Sequence, residues 1–287
     1  MSFVGKIAAT VFAWGAYVVL RLVGWKRKTV LANAKHVVAP VNYDELLFNL
    51  TRHVGELLFC FKTFKKLPQD FAAYPCCVDG WTFDIAEGSV PVLEKMRNGG
   101  IFLTAHYGNY EAMGPWLCRL GIPLVASYIP VKPKWLNNIL ERNIRAVDGK
   151  SYSVDARTPR DFMRLLDDGK LFCLLADQDS RIPSALPGTF LGRPANVNPL
   201  PDFLLKHRPQ TPVFICWMDE VCGVRELHAI EVDGAQFKDA SPAQFSSSVV
   251  NTQFNKWLEQ RILENPNLWY SFTHRRFYSR SPEIYGG

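Results

Sequence analysis

A histidine and a glutamate five residues apart are the side chains in this sequence best suited to catalysis. His106 and Glu111 lie in the segment 99–111, which reads GGIFLTAHYGNYE. The apolar run Ile101–Ala105 is typical of a buried strand, and a glycine-containing turn follows it. Asn109 is a residue type that often caps a helix, so a helix is expected to begin there. The pattern predicts that His106 lies where a strand ends and Glu111 where the next helix begins.

The strand-to-helix turn is what would allow these two side chains to meet. On one continuous helix, positions five apart point about 140° away from each other. Across a turn, a carboxylate can hold one imidazole nitrogen while the other nitrogen faces a substrate. That arrangement suits a general base that removes a proton from a hydroxyl group. The end of a strand is also where α/β sheets bind ligands, although this spacing alone occurs by chance in many proteins.

The elements that must position this pair follow an alternating pattern. Short apolar runs predict buried strands, and between them lie segments with helical spacing. The alternation predicts an α/β fold with a largely parallel central sheet flanked by helices. The predicted strands are Ile101–Ala105, Ile122–Tyr128, Leu171–Ala176 and Pro212–Met218, and the predicted helices lie near 42–66, 109–120, 132–147, 159–168 and 243–264. Pro115 predicts that the helix after the His106 turn is short or kinked.

The N-terminus predicts a membrane anchor. Phe3–Trp25 is apolar, with fourteen uncharged residues between Lys6 and Arg21, somewhat short for a helix that spans a bilayer. We predict an anchor over residues 1–28 that either spans the membrane or lies in its interface, with a buried core helix as the alternative. No linker divides residues 29–287, which are predicted to form one catalytic domain.

The basic cluster Lys26-Arg27-Lys28 directly follows the apolar segment. If the segment spans, the positive-inside tendency places this cluster and the whole body behind it in the cytoplasm. If the segment lies on the surface, the cluster contacts anionic headgroups. Both interpretations predict a membrane surface as a partner.

Composition excludes several classes of protein. The 287 residues contain 48% hydrophobic and 21% charged residues, so the chain is not intrinsically disordered. The excess of 33 Lys and Arg over 27 Asp and Glu leaves a net charge of +6, but no nucleic-acid-binding motif accompanies it. Acidic lipid or an acidic protein is the better partner. The seven cysteines are scattered without a CxxC pair, which predicts reduced packing thiols and no zinc site.

Four blocks in a fixed order extend the pattern around His106. After residues 99–111 come Leu174–Asp179 (LLADQD), Thr189–Ala195 (TFLGRPA) and a closing stretch with Pro266, Trp269 and the sequence HRRF at His274–Phe277. Together with the N-terminal apolar segment, these blocks resemble those of the lysophospholipid acyltransferase superfamily. Within it, they are most similar to the bacterial lipid A biosynthesis acyltransferases. The resemblance covers roughly residues 90–280.

The resemblance implies a glycerol-3-phosphate acyltransferase-like fold and an O-acyltransferase. Such an enzyme moves a fatty acyl chain from a thioester, acyl carrier protein or coenzyme A, to a hydroxyl of a lipid A precursor. His106 would be the general base and Glu111 its orienting partner. No covalent acyl-enzyme, no metal and no cofactor beyond the acyl thioester are expected. The enzyme would act at the cell inner membrane with its active site facing the cytoplasm, and an acidic carrier protein would suit the basic chain.

Further candidate substrate-binding residues come from the same blocks and from a predicted helix end. Arg145 would bind a phosphate or the oxyanion, or be a solvated helix-end arginine. Asp177 would orient the substrate or cap the next turn. Gly192 and Arg193 would shape the acceptor loop. The triplet His274, Arg275 and Arg276 would bind lipid phosphates or pack the C-terminal segment against the sheet.

Three alternative functions remain open at the level of sequence. The same chemistry could serve another acceptor, such as a glycolipid, a lysophospholipid or an aminoacyl lipid. A hydrolase of acyl thioesters could use the same pair to activate water. An inactive lipid-binding or scaffolding protein could keep the fold, but a binding module has no need of the intact His106–Glu111 pair.

Overall fold

The computed structural model describes residues 2–36, 40–127, 132–232 and 249–286. The helices are α1 (Ser2–Leu22), α2 (Arg27–Ala34), α3 (Tyr43–Phe59), α4 (Phe61–Phe64), α5 (Ser89–Met96), α6 (Tyr110–Arg119), α7 (Lys134–Ile139), α8 (Pro159–Asp167), α9 (Leu200–His207) and α10 (Val249–Glu264). The strands are β1 (Cys76–Val78), β2 (Trp81–Ile85), β3 (Gly100–Thr104), β4 (Leu124–Ser127), β5 (Ala146–Val147), β6 (Lys150–Ser151), β7 (Ser153–Val154), β8 (Leu171–Leu175), β9 (Leu186–Phe190), β10 (Arg193–Val197), β11 (Val213–Val221) and β12 (Val224–Glu231).

A mostly parallel eight-stranded sheet forms the centre of the molecule, in the order β1-β2-β12-β11-β3-β8-β4-β7. Neighbouring strands are parallel except for β1–β2 and the β11–β12 hairpin. Two smaller ladders, β9–β10 and β5–β6, lie outside this sheet. The predicted α/β fold with a largely parallel sheet flanked by helices is therefore confirmed.

The strand β3 divides the two hydrophobic cores of the protein. Ile101 and Leu103 point to one face and pack in the core shared with α8, α9 and α10. Phe102 points to the other face and packs with α5 and α6. Because successive strand side chains alternate between faces, a strand buried on both sides reads as a continuous apolar run. This is why Ile101–Ala105 is apolar except for Thr104, whose hydroxyl donates to the Cys216 carbonyl at 3.0 Å.

Three predicted helices differ from the observed ones. The helix expected over 42–66 ends at Phe59, and the short α4 follows after Cys60. The helix expected over 132–147 is regular only in α7 and continues as a π-helical turn at Leu140–Ile144. The helix near 243–264 is described from Val249 onward, because 243–248 lie outside the described residues, as does Tyr128 at the end of a predicted strand. Pro115 lies inside α6, which is ten residues long.

The N-terminal helix α1 is long and apolar enough to cross a membrane over Val4–Leu22, and only 11% of it is buried. The alternative of a core helix is therefore wrong. One side of α1 nevertheless packs along α3, where Ala9 and Ala13 are buried. Gly55 allows this approach, because a Cβ there would lie 2.7 Å from the Ala9 carbonyl oxygen. The division of the chain at residue 28 stays a prediction.

Candidate active site

The pairing register of β3 with β8 places two candidate site residues side by side. Thr104 is the partner of Leu175 in this parallel pair. His106 and Asp177 each follow two residues later, so both emerge at the carboxyl edge of the sheet. Ligands of α/β proteins bind at this edge. The structure therefore brings together one residue from the first sequence block and one from the second.

Asp177 is the hydrogen-bond partner of the His106 ring. The Nδ1 of His106 lies 2.8 Å from Asp177 Oδ1, and the backbone N–H of His106 donates to Oδ2 at 3.1 Å. Oδ2 also accepts from Trp269 Nε1 at 2.9 Å and from Ser271 Oγ at 2.6 Å. The carboxylate is fully enclosed, with a side-chain exposure of 0%. These four donors fix its orientation, and the carboxylate in turn fixes the imidazole.

The opposite charges of His106 and Asp177 raise the pKa of the imidazole and lower that of the carboxyl group, so both shifts favour the ion pair. Burial lowers the pKa of His106, but the Asp177 carboxylate outweighs burial, and the pKa lies above 6.5. Burial raises the pKa of Asp177, but the imidazole, Ser271 and Trp269 outweigh it and hold that pKa well below its usual range. Asp177 is therefore ionised at neutral pH and stabilises a proton on His106.

The second ring nitrogen of His106 is open to a substrate. Nδ1 faces Asp177, and among the described residues no hydrogen bond engages Nε2. The His106 side chain is 23% exposed, and its ring lies 5.1 Å from Tyr110 and 6.4 Å from His274, between centroids. A buried carboxylate behind an imidazole whose outer nitrogen is free is the geometry of a general base.

The predicted role of Glu111 as orienting partner of His106 is corrected by this geometry. Glu111 accepts a hydrogen bond at 3.0 Å from Arg145, which also lies 3.8 Å from Glu141. Glu111 lies at the start of α6, behind the turn. Its negative charge attracts the protonated imidazole without a hydrogen bond and so helps raise the His106 pKa. Arg145 directly follows the π-helical turn and reaches this carboxylate, so it is not a solvated helix-end arginine.

We expect the Glu111–Arg145 ion pair to act as a unit in stability. Both side chains are mostly buried, at 16% and 20% exposure. Glu111→Ala and Arg145→Ala should each lower the free energy of unfolding by about 2–3 kcal/mol, because each removes the hydrogen-bonded partner of a mostly buried charge. The double variant should lose much less than the sum. Urea unfolding of the three variants measures this coupling, and additive losses would contradict it.

The C-terminal block reaches the site through residues other than its basic triplet. The segment 268–271 is tied to the His106 turn by backbone hydrogen bonds, from Tyr270 N–H to His106 at 2.8 Å and from Gly108 N–H to Leu268 at 3.0 Å. Trp269 and Ser271 thereby come within reach of Asp177. The sequence signal for the contact with Asp177 was Trp269 of the closing block, for which no role was predicted.

The basic triplet divides between surface and core. Arg276 is 0% exposed, stacks on Phe190 and donates to the Asn196 carbonyl at 2.8 Å. The prediction that Arg276 binds lipid phosphate is therefore wrong: it packs the C-terminal segment, and burial lowers its pKa to about 10. Arg275 is exposed and lies over the ring of Tyr278. His274 is also exposed and lies beside His106, so it remains a candidate substrate contact.

Gly192 and Arg193 lie at the tip of the β9–β10 hairpin. Leu191 and Gly192 both have positive φ, 50° and 72°, as a two-residue hairpin turn requires. Arg193 is exposed. In the described parts of the chain, no hydrogen bond or ion pair joins either candidate to His106 or Asp177. Their role in an acceptor loop stays a prediction.

A buried polar network that the sequence analysis missed supports the turn from behind. Asn109 begins α6 as predicted, but its side chain makes no cap. Its amide donates to Glu56 at 2.6 Å and its oxygen lies 3.1 Å from His53 Nδ1. Glu56 in turn accepts from Arg225 at 2.8 Å. Burial lowers the pKa of His53 to about 4, so this imidazole is neutral at pH 7. No spacing signal links these residues in sequence.

An apolar cleft opens near the His106–Asp177 pair. It has a volume of about 540 Å³, counting the part open to solvent. Phe102, Met113, Leu124 and Leu175 line it, and Glu111 with Arg145 forms its polar wall. Tyr110, which contacts the His106 ring, also lines the cleft. Tyr110 therefore connects the cleft to the imidazole.

Comparison with models of known protein families and with curated proteins finds no match for this chain. Among the described residues, no group of three His, Cys, Asp or Glu side chains is placed to hold a metal ion. The predicted absence of a metal or cofactor stays a prediction.

Proposed function

We propose that this protein is a membrane-associated O-acyltransferase that moves a fatty acyl chain from an acyl thioester to a hydroxyl of a lipid. The observation that carries the proposal is the hydrogen bond of His106 to the enclosed Asp177 at the carboxyl edge of the sheet, near an apolar cleft. The sheet order and the four sequence blocks are the grounds for proposing the glycerol-3-phosphate acyltransferase-like fold as well.

The reaction needs one proton to move twice. His106 Nε2 takes the proton of the acceptor hydroxyl as its oxygen attacks the thioester carbonyl, and Asp177 stabilises the imidazolium that forms. The tetrahedral intermediate then collapses with cleavage of the carbon–sulfur bond. The imidazolium returns the proton to the departing thiolate, which leaves an ester and a free thiol. The activated thioester makes a covalent acyl-enzyme unnecessary.

A lipid A precursor is the acceptor that we favour, on the resemblance of the four blocks. The proposed donor is acyl carrier protein, because it is acidic and the chain carries a net charge of +6. The proposed site of action is the inner membrane, with the active site facing the cytoplasm. Arg145 and His274 are proposed to contact the substrates, Arg145 from the cleft wall and His274 from beside the base.

The test is a transfer assay with the purified full-length protein, acyl carrier protein loaded with a labelled chain, and a lipid A precursor. We expect acylated lipid and free carrier protein in equal amounts. Free fatty acid formed at the same rate with and without acceptor would instead identify a thioester hydrolase. Acylation of a lysophospholipid or glycolipid, with the lipid A precursor inert, would keep the chemistry and change the acceptor. No turnover with any thioester would contradict the proposal.

The cleft should determine the length of the transferred chain. Ala126 on β4 lines it, and Ala126→Phe would fill part of the space that a long chain needs. We expect the preferred chain to shorten, with kcat/KM for the longest substrate falling about tenfold or more and that for short chains unchanged. Competition among carrier proteins bearing chains of different length measures this. Ala229→Ser, buried elsewhere on the sheet, is the control. An equal loss for every chain length would count against a chain-binding cleft.

A further inference from the structure

The N-terminal helix α1 has one face packed on the protein and the opposite face bare. The bare face is an apolar stripe at helical spacing, and its side chains are between 46% and 78% exposed. We define the α1 stripe as Val4, Ile7, Val11, Trp14, Val18, Val19 and Leu22. Thr10, which is exposed on the same side, satisfies its hydroxyl on the Lys6 carbonyl of its own helix at 2.9 Å. A continuous apolar face of this length on a soluble surface is unusual.

The other face of α1 is held by α3 over nearly its whole length. At one end, Gly5 lies against Phe59, where a Cβ would be 2.9 Å from the carbonyl oxygen. At the other end, Arg21 binds Asp44 at 2.7 Å. The two helices are therefore antiparallel neighbours, and α1 does not leave the body as a free rod.

The two charged side chains of α1, Lys6 and Arg21, bind groups of the protein body. The Nζ of Lys6 donates to the Gly80 carbonyl at 2.7 Å and lies 4.8 Å from the ring of Trp81. Arg21 is engaged by Asp44. If α1 crossed the bilayer, α3 with its charged side chains would be drawn into the hydrocarbon beside it, at a large cost in free energy.

Basic clusters lie at both ends of the stripe. Lys26-Arg27-Lys28 follows α1 and is exposed. At the opposite end, the exposed Lys62 and Lys66 line a cavity together with Gly5, and Lys66 also pairs with Asp79 at 2.9 Å. A spanning helix would separate these clusters across the membrane, whereas a helix lying in the surface brings both to anionic headgroups. Trp14 lies at the edge of the stripe, with its ring 4.6 Å from that of Phe48 on α3, and it also suits the interface, where tryptophan is enriched.

We infer that α1 does not span the membrane but lies in its plane, with the stripe immersed in one leaflet of anionic lipid and both basic clusters on the headgroups. The protein is then monotopic, and both its termini are on the side of its body. This inference rests on the membrane attachment proposed above and not on the acyltransferase chemistry, because neither of its tests measures activity.

The first test determines sidedness in bacterial spheroplasts that express the full-length chain with one peptide tag before Met1 and another after Gly287. Protease added outside should leave both tags intact until the membrane is broken, whereupon both are removed. Loss of the N-terminal tag alone from intact spheroplasts would show a spanning helix and overturn the inference. Recovery of the protein entirely in the soluble fraction would overturn it as well.

The second test measures flotation with vesicles of phosphatidylglycerol and phosphatidylcholine. The triple variant Val11→Gln, Val18→Gln, Leu22→Gln should bind at least about tenfold more weakly, because three side chains no longer favour the leaflet. Its melting temperature should not change, since all three are exposed. The matched control is Ile182→Gln, Val221→Gln, Leu263→Gln, three exposed apolar residues of other elements, which should bind as wild type does. Equal binding by all three proteins would also overturn the inference.

Discussion

Replacing His106 with alanine is expected to slow acyl transfer by about 10²–10⁴-fold, the usual contribution of a general base. Without the imidazole, the acceptor hydroxyl has to lose its proton to water while it attacks the thioester. The loss should lie in kcat, because the ring takes part in proton transfer and not in binding the acyl chain in the apolar cleft. Rates with saturating donor and acceptor measure it.

The fold of the His106→Ala protein should survive. The histidine side chain is 23% exposed and does not fill the core, and the backbone N–H that donates to Asp177 remains. A thermal melt run beside the assay checks this point. His207→Ala, an exposed histidine at the end of α9, is the matched control and should keep full activity. A folded His106→Ala protein with near wild-type turnover would falsify the mechanism.

Asp177→Asn is expected to have an effect of similar size, about 10²–10⁴-fold in kcat, although asparagine preserves the shape of the side chain. The amide cannot stabilise the imidazolium by charge, and its NH₂ group favours the wrong tautomer of the ring. Because His106 and Asp177 act as one unit, the double variant should be little worse than His106→Ala. Multiplied effects in the double variant would show that the two residues act independently.

The same variant should change the pH dependence in a known direction. The base must be neutral, so kcat/KM rises with pH through the pKa of His106, which Asp177 holds above 6.5. With asparagine, burial still lowers that pKa and the attraction of Asp177, the larger of the two carboxylate contributions, is lost. The rise in kcat/KM should therefore move to lower pH, and its plateau at high pH should fall. Asp179→Asn is the control: this buried carboxylate binds Ser279 and Arg181 and not the imidazole. A pH profile unchanged by Asp177→Asn would contradict the assignment.

Much of the fold was predictable because its signals are local. A strand buried on both faces is mostly apolar, so β3, β8 and the first part of β11 stand out as short runs, and their alternation with helical spacing identifies the α/β class. Breaks inside a helical pattern are weaker signals. The 42–66 helix is divided at Cys60, after which Phe64 joins the core, and helical periodicity contains no information about where such a break falls.

The candidate site was predictable in its base but not in its partner. Two runs end in the same way, Ala105-His106 and Ala176-Asp177, and this likeness was the available signal for their pairing. His106 and Asp177 come into contact only if β3 and β8 are neighbours in the right register, and no spacing along the chain specifies that register. Glu111 is nearer in sequence but lies on α6, where Arg145 engages it.

Residue types and local spacing are enough to identify the residues that could do chemistry, the strand that ends before His106, and the apolar N-terminal helix with its basic residues. These properties depend on neighbours within about ten positions. Only folding shows that Asp177, 71 residues away, is the partner of His106, that Arg276 is core, and that α1 lies along α3. Each of these depends on pairing between distant segments, because hydrogen bonds and burial are set by distances in space.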